Sequence, residues 1–132
     1  MTQLHFQPIQ GKTLGIIDAI MRTEEVVSLN DNMWRIIRMV VEELVVNIVD
    51  YSGSNYMDVE ISCEKDRFTM CYRDGGVPFN PLKNEPPDFS LPIAQRQIGG
   101  LGIYLALTSM DTAEYEFVNG ENVFTTSLFY KK

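Results

Sequence analysis

Cysteine, histidine and basic side chains are scarce in this chain, and each shortage excludes a class of function. Cys63, Cys71 and the lone His5 form no CxxC pair and no N and S set at zinc spacing, so a zinc site is not expected. Eleven Lys and Arg stand against eighteen Asp and Glu, giving a net charge of −7 and a pI near 4.6. A field of that sign repels a phosphate backbone, so no direct nucleic-acid partner is expected. Long apolar runs are missing as well. Met39 to Val41 and Leu44 to Val46 are separated by Glu42 and Glu43, whereas a membrane span needs about 20 mostly apolar residues. The opening MTQLHFQPIQ lacks the basic region and apolar stretch of a signal peptide, which points to a cytoplasmic protein with reduced thiols. Repeats and low-complexity tracts are absent too.

What remains is the material of one core. A length of 132 residues, 45% hydrophobic residues, seven Phe and six Tyr describe one globular domain spanning 1–132. Leu4 to Ile9 reads as a short strand. Thr13 to Ser28 reads as an amphipathic helix with Leu14, Ile17, Ile20 and Met21 at helical spacing. Asn30 and Asp31 are good N-caps for a more apolar helix from Asn32 to Tyr51, closed by Ser52-Gly53. Residues 57–63 and 68–73 alternate apolar and polar around a Lys65-Asp66 turn, a hairpin with one wet face. A two-residue turn sets Cys63 opposite Phe68 and Glu60 opposite Cys71, so the thiols fall on opposite faces.

From Gly75 to Ile98 no continuous element fits, because Pro78, Pro81, Pro86, Pro87 and Pro92 break helix and central strand alike. A gap of that length is either a mobile surface loop or a lid, and 77–98 is the lid candidate. A short helix follows from Leu101 to about Met110. Strands from Thr112 to Val118 and from Val123 to Tyr130 close the chain around Asn119-Gly120, a strong hairpin signal. The order predicts an α+β two-layer sandwich: a mainly antiparallel sheet of four to five strands with three helices on one face.

Three clusters are chemically suggestive. Glu43, Asn47 and Asp50 stand at i, i+4 and i+7, one stripe of the second helix, distinct from the solvated Arg35, Arg38 and Glu42 stripe. Edge residues reaching water would account for them. An amide oxygen one turn after a carboxylate would equally suit Mg²⁺ beside a general base. Asp74-Gly75-Gly76-Val77-Pro78-Phe79 ends a strand in an acid and two glycines. Ordinary turn chemistry explains that run. An ionised Asp is also a pure acceptor that can take the amino group of adenine and would meet the guanine oxygen unfavourably. Gly99-Gly100-Leu101-Gly102 opens a helix, where N–H groups can hold phosphate with help from Arg96 or Lys83. Other nucleotide motifs fail. The glycine that a P-loop ending in Gly11-Lys12-Thr13 requires is Phe6, the third Rossmann glycine is Leu105, and neither His-Arg-Asp nor Asp-Phe-Gly occurs.

Together, Glu43-Leu44-Val45-Val46-Asn47, Asp74 to Phe79 and Gly99 to Gly102 resemble, in order and spacing, the N, G1 and G2 boxes of the GHKL (histidine kinase-like) ATPases, whose domain is the Bergerat-type ATP-binding fold. The resemblance covers nearly the whole chain. With no added dimerisation or receiver domain in it, the chain is most similar to the bacterial anti-sigma factor serine/threonine-protein kinases.

The resemblance implies ATP and Mg²⁺ as cofactors. Glu43 would be the catalytic general base and Asn47 the metal ligand. Asp50, Asp74, Gly76, Pro78, Phe79, Arg96, Gly99, Gly100, Leu101 and Gly102 would line the nucleotide with Asn47. The implied partners are a sigma factor and a small anti-anti-sigma protein carrying an acceptor serine, whose phosphorylation regulates transcription; a homodimer stays open. The sequence departs from the family after Asn47, where a basic residue and a histidine are often found and Asp50 and Tyr51 stand here. A sensor histidine kinase is disfavoured because His5 falls in the first strand and not on a dimerisation helix. The alternative from another class is a nucleotide-gated protein that sequesters its partner without phosphoryl transfer.

Overall fold

Alternation along two adjacent segments builds the centre of the sheet. The computed structural model describes residues 1–83 and 106–130. In it, β2 (Met57–Cys63) and β3 (Arg67–Asp74) pair antiparallel with Cys63 opposite Phe68 and Glu60 opposite Cys71. That is the register implied by the Lys65-Asp66 turn. Met57, Val59, Ile61, Phe68, Met70 and Tyr72 point to one side and are at most 2% exposed. Both cysteines are free.

β1 (Thr2–Phe6) adds to β2 at one edge, while β5 (Glu121–Phe129) pairs with β3 and carries β4 (Thr112–Val118) on its far side. The result is a five-stranded antiparallel sheet in the order β1-β2-β3-β5-β4. Asn119 and Gly120 both take positive φ, 53° and 79°, the backbone of a tight hairpin turn whose twist matches the flanking strands. β1 stops earlier than its hydrophobicity suggests. Pro8 has no N–H to give a ladder, and Ile9 instead donates back to the Gln7 carbonyl.

Helices cover the apolar face. α1 (Thr13–Met21) buries Ile16, Ile17 and Ile20, and α3 (Asp31–Asn47) buries Met33, Ile37, Val40, Val41, Leu44 and Val45. The α3 spacing is that of a single helical face, and each such side chain contributes about 1.5–3 kcal/mol on burial. Asn30 caps α3 through a 2.9 Å bond accepted from the Met33 N–H.

The expected helix from Thr13 to Ser28 is broken. Thr23 is extended, and its hydroxyl donates to the Ile20 carbonyl, which ends α1 and lets Thr23 precede a short α2 (Glu24–Val27). Glu25 then ties α2 to the sheet edge by accepting from the Thr2 hydroxyl and pairing with the Met1 ammonium.

The second helix also differs from expectation: α-helical bonding ends at Asn47 and a π-helical turn runs over Ile48–Ser52 before Gly53 closes it at φ 72°. Of the expected third helix, residues 106–108 are helical and Ala106 joins the core; residues 101–105 fall outside the described part. Among the described residues no helix is long and apolar enough to cross a membrane.

Candidate functional site

The C-terminal half of α3 sets the first part of the site. Glu43 and Asn47, one turn apart, are both half-buried. Burial pushes the Glu43 carboxyl above the usual carboxylate range, and the neighbouring Glu42 adds to the rise. Asn47 places Nδ2 in the interior with no hydrogen-bond partner among the described residues. A buried amide nitrogen left unpaired costs about 1–3 kcal/mol, and nothing among the described residues offsets it. Amide oxygen and nitrogen are distinguished only by their partners. Turned over, the same group offers an oxygen to a hard cation.

Asn47 therefore fits Mg²⁺ in one particular way. No group of three or more His, Cys, Asp or Glu among the described residues forms a cage. Such an ion would take one oxygen from Asn47 and the rest from phosphates and water, a common mode for Mg²⁺. The stripe that would add Asp50 is not kept. The wider π turn shifts Asp50 off the line of Glu43 and Asn47, and its exposed carboxylate accepts a 3.0 Å bond from Gln10 Nε2.

The turn after α3 is locked onto the loop that follows β3. Ser54 Oγ donates to the Tyr56 carbonyl and accepts from the N–H groups of Tyr56 and Gly75. The Val77 N–H donates to the Ser52 carbonyl at 3.0 Å. Gly76 is required by contact: a Cβ on it would stand 2.2 Å from the Ser52 oxygen and 2.6 Å from the Ser52 Cβ. Gly75 faces the Tyr56 ring, where a Cβ would lie 2.8 Å from Cε1. Tyr56 in turn donates to Glu121 Oε2 at 2.6 Å, and that bond is the main reason its phenol is pushed up to about 12.

Asp74 closes β3 at 6% exposure. Its Oδ1 accepts from the Gly76 N–H at 2.9 Å and from Asn122 Nδ2 at 3.1 Å. Oδ2 carries no bond from another described residue. Burial raises the Asp74 pKa, the two hydrogen bonds pull against that rise, and Glu121 adds a smaller upward push. The arrangement is a mostly buried carboxylate with one oxygen fixed and one uncommitted, suited to accept from an N–H donor.

Asn122 and Tyr115 are the participants that sequence reasoning missed. Asn122 is 6% exposed and lies directly across the ladder from Asp74. An asparagine inside a strand is uncommon enough to be a signal. Its connection to Asp74 depends on a β3–β5 register that no local pattern displays.

Other expected residues are placed less centrally. Pro78 is exposed and Phe79 is 42% exposed, although the Phe79 N–H donates to Asn122 Oδ1 at 3.0 Å. Lys83 ends a short 3₁₀ turn, Pro81–Lys83. Arg96, Gly99, Gly100, Leu101 and Gly102 lie outside the described residues, as does most of the 77–98 segment. His5 sits in β1 and pairs with Asp58 across the β1–β2 ladder.

Comparison with known proteins places this geometry. The family model described as the histidine kinase-like ATPase domain matches residues 10–127. Among solved structures, the Acinetobacter baumannii histidine kinase AdeS is similar with a TM-score of 0.59 at 12% identity, over 100% of this chain and 69% of that one. The nucleotide-free catalytic domain of histidine kinase ThkA is similar with a TM-score of 0.52 at 14% identity, over 98% of each chain. At such identities these two likenesses concern the fold. Comparison with curated protein sequences gave no match.

Proposed function

The chain belongs to the histidine kinase-like ATPase domain family, and we propose that within it the protein binds Mg-ATP and phosphorylates a serine on a small antagonist protein, releasing a sigma factor that it otherwise holds. Membership supports ATP binding. Serine as acceptor, the sigma factor, the antagonist, Mg²⁺ and a cytoplasmic location are our reading.

The observation that carries the reading is Asn47: a half-buried side chain whose interior amide nitrogen has no partner among the described residues, one helical turn after a carboxylate. In the proposed reaction Glu43 would take the serine proton as the oxygen attacks the γ-phosphorus, and ADP would leave. A raised Glu43 pKa suits a base that must hold that proton transiently. Mg²⁺ bound through Asn47 would neutralise charge developing on the phosphates. Asp74 would accept from the adenine amino group.

Transfer of label from γ-labelled ATP to a co-expressed small partner tests this. Wild type should label a serine. Glu43→Gln should lose about 10²–10⁴ in rate, the usual share of a general base, with nucleotide affinity nearly unchanged. Equal rates would remove Glu43 from the chemistry. A second reading keeps the site and drops the reaction: a nucleotide-gated protein that sequesters its partner. It holds if no serine is labelled while ATP still governs partner binding.

A further inference from the structure

Asn122 is the most heavily committed side chain near Asp74, and both ends of its amide are used within the protein. Nδ2 donates to Asp74 Oδ1 at 3.1 Å and to the Val77 carbonyl at 2.9 Å, with the Gly76 carbonyl at 3.5 Å. Oδ1 accepts from the Phe79 N–H at 3.0 Å and from the Tyr115 hydroxyl. A primary amide has two donor hydrogens and two acceptor lone pairs. All four are taken, so Asn122 has nothing left with which to read a ligand.

The surroundings also fix which way the amide points. One end faces two donors, the Phe79 N–H and the Tyr115 hydroxyl; the other faces a carboxylate and two carbonyls. Turning the amide over would set donor against donor and acceptor against acceptor, so a single orientation satisfies the site. That orientation holds Asp74 by Oδ1 alone, together with the Gly76 N–H on the same oxygen. Oδ2 is left without a bond from another described residue.

We propose that Asn122, oriented by Tyr115, is a positioning residue for base recognition: it pins Asp74 Oδ1 and the 76–79 backbone to one amide, so that Oδ2 is presented to the 6-amino group of a purine. The inference rests on the ATP-binding reading above and goes beyond it, since specificity then resides in a residue that touches no nucleotide. Asp at position 122 would set a second carboxylate against Asp74 and lose the donor to Val77. Ala would release both Asp74 and the loop. Removing the Tyr115 hydroxyl takes one of the two donors that hold the amide.

The test compares the affinities of ATP and inosine triphosphate, which differ at the purine 6-position, for wild type, Asn122→Ala, Asn122→Asp and Tyr115→Phe, each shown folded by circular dichroism at the assay temperature. The ATP-over-ITP preference should fall at least about tenfold in both Asn122 variants, as expected when a hydrogen bond to a charged group is lost. Affinity for ITP should stay within about threefold. Tyr115→Phe, a one-atom deletion, should lower the preference in the same direction and decides the matter if the Asn122 variants do not fold. A merely structural role would weaken both nucleotides together and leave the ratio intact, which overturns the proposal. If Asp74→Asn abolishes the preference while the Asn122 variants keep it, this inference alone fails. If wild type binds neither nucleotide, the ATP reading fails with it.

Discussion

Two glycines give the sharpest stability test, because the same added methyl group should act in opposite directions at the two. At Gly76, Ala would place Cβ 2.2 Å from the Ser52 oxygen and 2.7 Å from the Ser52 carbonyl carbon, and both atoms are backbone. No rotamer change relieves such a contact, so the loop must move away from the turn that ends α3. That movement stretches the 3.0 Å bond from the Val77 N–H to the Ser52 carbonyl and strains the Asn122 bond to the Val77 carbonyl. Overpacking of this kind costs about 1–3 kcal/mol, and a lost hydrogen bond adds about 0.5–1.5 kcal/mol. The sum, about 2–4 kcal/mol, corresponds to a fall in Tm of roughly 10 °C for a domain of this size. Gly15 in α1 has nothing within 4 Å of its added Cβ and no positive φ. Gly15→Ala should stabilise by about 0.5–1 kcal/mol through helix propensity. Urea and thermal unfolding followed by circular dichroism measure both variants. A Gly76→Ala protein as stable as wild type would refute the close approach of loop and turn; a destabilised Gly15→Ala would refute the placement of α1.

Asp74→Asn keeps the acceptor for Gly76 and Asn122 but turns the second oxygen into a donor, so ATP should bind about 10- to 100-fold more weakly while GTP gains relative to it, measured by calorimetric titration. Replacing Asn47 by Leu removes a buried unpaired polar atom; Tm should hold or rise while Mg-ATP binding is lost, and a large fall in Tm would show that the amide has a structural partner. Glu43 holds its proton more tightly in the folded protein than in the unfolded chain, so its contribution favours folding at low pH and is lost as pH rises through the raised value. Glu43→Gln should therefore gain in Tm over wild type on going from acid to neutral pH. The acid limb of the wild-type rate profile should lie above the ordinary carboxylate range, since the base acts only when ionised.

The elements that close on short-range signals were legible in the sequence. Residues 57–74 alternate, Lys65-Asp66 sets the register, and Asn119-Gly120 joins the last two strands as its turn chemistry implies. Glu43, Asn47, Asp74 and Gly76 stand out in the sequence because each belongs to a motif of a few residues. Features that depend on contacts between distant segments were not. Asn122 meets Asp74 only after β5 pairs with β3, 48 positions away in sequence. The π turn over Ile48–Ser52 has no composition of its own and rotates Asp50 off a stripe that ideal α geometry drew through it. Thr23 looked like a tolerable helix residue until its hydroxyl bonded back to Ile20, and Pro8 looked like the interior of a strand that its missing N–H in fact ends.

The energetics of the site follow from where these contacts converge. Asn47 and Asp74 lie on two different layers, helix and sheet, and each is unfavourable for folding taken alone: one buries an amide nitrogen without a partner among the described residues, the other is a carboxylate whose burial raises its pKa. What joins the layers between them is a set of short, close contacts. The Ser52 carbonyl accepts from Val77, Gly76 fits only because it has no side chain, and Ser54 bridges Tyr56 to Gly75. A gap wide enough for one Cβ would let the loop drift, and with it the carboxylate that Gly76 and Asn122 hold. The contacts that join the two layers thus involve backbone and small residues, while Asn47 Nδ2 and Asp74 Oδ2 are left without partners among the described residues. In such a division of roles, a ligand that supplied the missing partners would recover the energy the two groups cost the fold, without requiring the connection between them to move.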